Sequence, residues 1–210
     1  MQKWVVGKPH DEERPATGLR RKETNMGRRR SEGGSSNLAA LVLRGALGGL
    51  MGGHGAQKTF GWFNGPGLEG TSGFMEMLGL SPGRLWGTLA ALSELGGGVL
   101  TALGLLHPLG PLGIIGSMSI ATTKAHWDKP IWVTEGGAEL PVTNIAVATA
   151  LILNGPGKYS LDRALGIRLP GWIAPLGLVG VLLTVLYAGI GAPSAPEEDE
   201  AREELAGEEE

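Results

Sequence analysis

Leu38-Ala39-Ala40-Leu41-Val42-Leu43-Arg44-Gly45-Ala46-Leu47-Gly48-Gly49-Leu50-Met51-Gly52-Gly53-His54-Gly55-Ala56-Gln57-Lys58 decides how the rest of the chain is read. It is apolar along nearly its whole length, yet it holds Arg44 and His54. At ~1.5 Å of rise per residue, a helix of this length spans much of the ~30 Å hydrocarbon core of a bilayer. Glu94 and Lys124 sit in the same way inside later apolar segments. A formal charge near the bilayer centre costs roughly 2.5–3.5 kcal/mol even on lenient insertion scales, so such residues tend to pair and to be functional. Residues 38–192 therefore read as a polytopic membrane protein with a polar interior.

Four more spans follow, at about 83–106, 109–126, 140–154 and 172–192, with Ser81-Pro82 as the start signal of the second and Ser35-Ser36-Asn37 capping the first. The fourth is short for a crossing of about 20 residues and is expected to recruit 136–139 or to tilt. The expected fold is all-α: a four-helix transmembrane bundle plus a fifth C-terminal transmembrane helix. Residues 1–36 form a basic leader and residues 193–210 an acidic tail. Both are too hydrophilic to bury a core and are expected to be disordered. The membrane domain then covers 37–165 and the additional helix 166–192, with Met26 as an alternative start.

The net charge of −3 sums two opposite tails and identifies no partner; nothing in the chain marks nucleic-acid binding. There is no cysteine, which excludes disulfides, thiol chemistry, iron–sulfur ligation and cysteine-bound zinc. Arg28-Arg29-Arg30 precedes a membrane segment, where retention of the N-terminus in the cytoplasm explains it better than an export signal. The loop before the fifth span carries Lys158, Arg163 and Arg168, and the aromatic residues Phe60, Trp62, Phe63, Trp86, Trp127 and Trp132 fall at the other ends of the spans. The positive-inside bias then gives an N-in, C-out topology. Gly45, Gly49 and Gly53 form one small-residue row, with Gly48 and Gly52 beside it. Such rows let membrane helices pack closely, within one chain or between copies in a homo-oligomer.

Upright spans put Arg44 roughly 9 Å from the cytoplasmic side, Glu94 about 18 Å, Lys124 about 21 Å and His54 about 24 Å. Helical side chains lean toward their own N-terminus, so Glu94, His54 and Lys124 converge slightly outside the midplane. Asn144 joins them from the fourth span, while Arg44 snorkels toward the cytoplasm or pairs with Glu94 through tilt. Two readings stand. The cluster exchanges a proton near neutral pH, which suits quinone chemistry or a proton pathway. Alternatively, Glu94 and one cation form a structural pair that fixes helix register. His54 and His126 offer no further donors and make a weak haem or metal site, so no metal is expected. Gly155-Pro156-Gly157 lacks the Gly-Lys-Ser/Thr of a phosphate loop and reads as a turn into an interfacial helix capped by Ser160.

Leu41-Val42-Leu43-Arg44, Gly52-Gly53-His54-Gly55-Ala56-Gln57-Lys58-Thr59-Phe60-Gly61, Phe74-Met75-Glu76-Met77-Leu78-Gly79-Leu80, Ala90-Ala91-Leu92-Ser93-Glu94-Leu95-Gly96-Gly97-Gly98 and Gly155-Pro156-Gly157-Lys158-Tyr159-Ser160-Leu161-Asp162 follow one another in this order. Over residues 38–165 the chain resembles the DoxX family of small bacterial membrane proteins. The resemblance implies a four-helix bundle in the bacterial inner membrane and a loose association with redox processes, which leaves the cofactor open with quinone as one candidate, and membrane or redox proteins as candidate partners beside the bilayer itself. The fifth span and acidic tail depart from that pattern. Three function classes fit alike: an accessory subunit of a quinone-linked assembly, not necessarily catalytic itself; a proton-coupled transporter or small-molecule channel; and a structural membrane partner.

Overall fold

The computed structural model describes residues 17–190, with side-chain surroundings from Gly34 onward. The chain divides into two units, Met1–Ser36 and Asn37–Glu210. All regular structure among the described residues is helical: α1 (Thr17–Phe60), α2 (Gly67–Met77), α3 (Gly83–Leu103), α4 (Leu109–Ile120), α5 (Glu139–Asn154), α6 (Leu161–Leu165) and α7 (Ile173–Ile190), with a π-helical turn at Ala121–Ala125. Helix α1 begins at Thr17. Residues 1–16 and the acidic tail 193–210 lie outside the described residues.

The helix boundaries follow local chemistry. Pro82 is extended ahead of α3, where its missing N–H costs nothing. Gly104 ends α3 in the left-handed conformation at φ 62°, a geometry that side chains resist. Ser160 caps α6 by accepting the Arg163 N–H at 3.3 Å. Between the first two expected spans lies α2, which packs along α3.

Contacts within the second unit give the helix directions. Gly48 of α1 lies against Gly98 and Ala102 of α3, Gly52 against Gly98, and Gly55 against Leu95, so these two helices are antiparallel. A Cβ on Gly98 would stand 2.3 Å from the Gly52 backbone nitrogen, so the seam depends on bare glycine. Gly97 faces Gly110 and Ile114, while Gly113 faces Ser93, making α3 and α4 antiparallel as well. Asn144 of α5 reaches Met118 of α4. On α7, Gly177 faces Leu112 and Val181 faces Gly116, so α7 runs parallel to α4.

Helix α4 packs on α3, α5 and α7 and is apolar on every side, as a central helix must be. Leu47, Met51, Ile114, Ile115, Met118, Ala148 and Leu151 form one core joining α1, α4 and α5. Met75, Leu80, Trp86 and Ala188 form another between α2, α3 and α7. Among the described residues one helix, α7, is long and apolar enough by length and composition to cross a membrane, with mean hydropathy 2.2; α5 is a shorter apolar helix. The glycine row Gly45, Gly49 and Gly53 has nothing within contact distance, so within the chain the row beside it makes the seam.

Candidate functional site

Lys58 ends the buried face of α1. Arg44, Leu47, Gly48, Met51, Gly55 and Lys58 recur at three- and four-residue spacing and so share one side of the helix. Across the seam, Lys58 Nζ donates to Glu94 Oε1 in an ion pair. The Glu94 side chain is 2 % exposed and that of Lys58 29 %, so the pair is shielded on the acid's side and open on the base's. Glu94 Oε2 is buried and has no hydrogen-bond partner among the described residues.

Glu94 is one of the residues that line an apolar cavity of about 720 Å³. The cavity follows α4 from Leu109 to Ala125, roughly 24 Å at the helical rise. Trp86 and Leu89 of α3, Met75 of α2, and Val181 and Thr184 of α7 contribute to its walls. Lys58, His126 and Lys129 give it polar groups beside Glu94. Tyr187 stacks on Trp86 at 6.2 Å between ring centroids, tying α7 to α3 beside the slot. Volume and lining are those of a small-molecule site: mostly apolar, with a few polar groups to fix orientation.

The expected cluster of Glu94, His54, Lys124, Asn144 and Arg44 is not one site. His54 is exposed and bonds Gln57 Oε1 on its own helix at 3.0 Å, because position 54 falls off the face shared by Met51, Gly55 and Lys58. Asn144 points its amide at the sulfurs of Met51 and Met118, each at 3.6 Å, inside the core. Lys124 is half-buried on the π-helical turn, without a partner among the described residues. His126 bonds the Gly136 carbonyl through Nδ1 at 2.5 Å, and no group of metal-ligating residues occurs among the described residues.

Arg44 belongs to a second polar centre at the opposite end of the bundle. It is buried and donates to the carbonyls of Pro156 at 2.8 Å and Tyr159 at 2.5 Å, so it neither snorkels nor reaches Glu94. Asp162, buried beside it, accepts the N–H groups of Leu106 and His107, both at 2.8 Å. These bonds lock the α3–α4 turn to the α5–α6 turn. Burial pushes the His107 imidazole below its ordinary value and Arg44 adds to this, while a bond to the Ile152 carbonyl and the nearby Asp162 work the other way. The sequence signal for Lys58 was its helical phase; the signal for Asp162 was an acid placed just after a Gly-Pro-Gly turn and a serine cap.

The described residues form an all-helical bundle with an apolar slot and a buried ion pair. The DoxX family model matches residues 39–127, so this stretch is similar to proteins of the DoxX family. The match covers α2, α3, α4 and the Lys58–Glu94 pair, and it ends before α5, Asp162 and α7. Comparison with curated proteins gave no match, and comparison with solved structures gave none either.

Proposed function

We propose that the chain is a multi-pass inner-membrane protein, four core helices plus α7, that serves as an accessory subunit of a quinone-linked assembly. The observation that carries this reading is the Lys58–Glu94 ion pair, both of whose residues line an elongated apolar slot. A quinone headgroup fits the polar groups there. Lys58 would donate to a ring carbonyl, the Glu94 carboxylate would accept from a ring hydroxyl, and the slot along α4 suits an isoprenoid tail. When bound, such a group supplies two-electron redox chemistry, which no side chain of this cysteine-free chain provides. The protein's own part is to bind, to orient the ring and to hold a carboxylate within reach of a transferable proton. No electron carrier within the chain is implied, so a redox partner must complete the assembly.

The test is purification of the full chain in mild detergent, followed by mass spectrometry of co-purifying lipids, quinones and proteins. Quinone or quinol in the wild type, depleted at least about ten-fold in Glu94→Gln at equal yield and helicity, is expected. Wild type and Glu94→Gln that both lack quinone, while driving proton-dependent solute flux in vesicles, would move the protein to the transporter class.

A further inference from the structure

We propose that the concavity under α6 is a binding site for the headgroup of an anionic phospholipid. It encloses about 620 Å³ and is bordered by Lys158, Arg163 and Arg168, together with Asn37, Gly157 and Ile167. All three cations are exposed, and none forms an ion pair or side-chain hydrogen bond among the described residues. The acid at its border, Asp162, is buried, and its two oxygens accept the Leu106 and His107 N–H groups, so it forms no ion pair with these cations. The walls are built before any ligand arrives. Asn37 Oδ1 holds the Lys158 N–H at 2.6 Å, and Arg44 holds the carbonyls on either side of that turn.

The surroundings distinguish a lipid from a soluble anion. Tyr159, Leu165 and Trp172 are exposed close along the chain, and the apolar flank of α7 starts at Ile173. Aromatic side chains at that level mark a membrane interface, and cations near an anionic leaflet each add to the attraction. A phosphodiester seated among the three cations would lay its acyl chains along α7. This inference rests on the reading that the helices lie in a bilayer, and it is independent of any quinone in the Glu94 slot.

The experiment is native mass spectrometry of the full chain in detergent, titrated with phosphatidylglycerol or with phosphatidylcholine of the same acyl chains. Wild type and Arg84→Gln should hold phosphatidylglycerol at least about ten-fold tighter than phosphatidylcholine, and the combined Lys158→Gln, Arg163→Gln, Arg168→Gln variant should lose that preference. Equal binding of the two lipids by wild type, or a preference that survives in the triple variant, overturns the proposal. Inorganic phosphate that binds alone and displaces phosphatidylglycerol at millimolar concentration would reassign the site to a soluble anion. Alkaline carbonate extraction of membranes separates the two levels. A chain that is stripped off overturns the bilayer reading and this proposal together, whereas a retained chain without lipid preference overturns this proposal alone.

Discussion

Lys58 and Glu94 meet across the α1–α3 seam, and the acid is the more buried of the two. Removing the base strands a charge; removing both does not. Lys58→Met is therefore expected to destabilise the fold by about 3 kcal/mol, with Lys58→Met, Glu94→Met recovering more than half of that, read from unfolding in detergent. A double variant as unstable as Lys58→Met alone would show that the pair contributes through packing rather than charge. Arg44→Met should cost a similar ~3 kcal/mol, since two carbonyls lose a charged donor and Asp162 loses its neighbour. His107 gives the fold a pH dependence. Its imidazole titrates lower in the folded chain than the ordinary value of about 6.5, so the unfolded chain takes the proton first as pH falls. Stability is complete above that ordinary value and declines below it, until the folded imidazole is protonated as well. Wild type should thus lose more stability than His107→Gln between pH 7.5 and pH 5.5, measured on the same unfolding transition.

Helices α1 and α3 approach closely through glycine, and the two glycine rows of α1 behave differently there. Gly98→Leu places a side chain where the Gly52 backbone lies and should prevent the bundle from forming, while Gly49→Leu points into open space and should leave the thermal midpoint within about 2 °C. Loss of both, or of neither, contradicts the assigned seam. This contrast also shows what the sequence could and could not reveal. The starts and stops of α3, α5 and α6 were legible because Pro82, Gly155 and Ser160 punctuate them. Which glycine row packs was not, since both have the same spacing and only the partner helix distinguishes them. Depth along a straight span grouped His54 with Glu94, but rotation about the helix axis separates them and brings Lys58 in instead. Helix α2 was hidden because Gly67, Gly70 and Gly73 weaken its helical signal, and burial against α3 compensates for their low propensity.

At the scale of the whole molecule, the helix directions and the charge distribution make a joint statement that neither makes alone. Helices α1, α4 and α7 run one way and α3 and α5 the other, so Arg44, Gly104, His107, Tyr159 and Asp162 gather at one end of the bundle. Lys58, His126 and Lys129 gather toward the other. The basic groove of Lys158, Arg163 and Arg168 belongs to the Arg44 end. If the bundle is embedded, the positive-inside rule makes that end cytoplasmic. The chain has no cysteine, so single cysteines can report sidedness without background. Lys158→Cys in intact cells should resist a membrane-impermeant maleimide and react once the membrane is opened, whereas Lys129→Cys should react from outside in both states. The reverse pattern would invert the orientation while keeping the alternation of helices. Labelling of both positions from the same side would break the alternation itself, because α5 separates them and a single crossing must change sides.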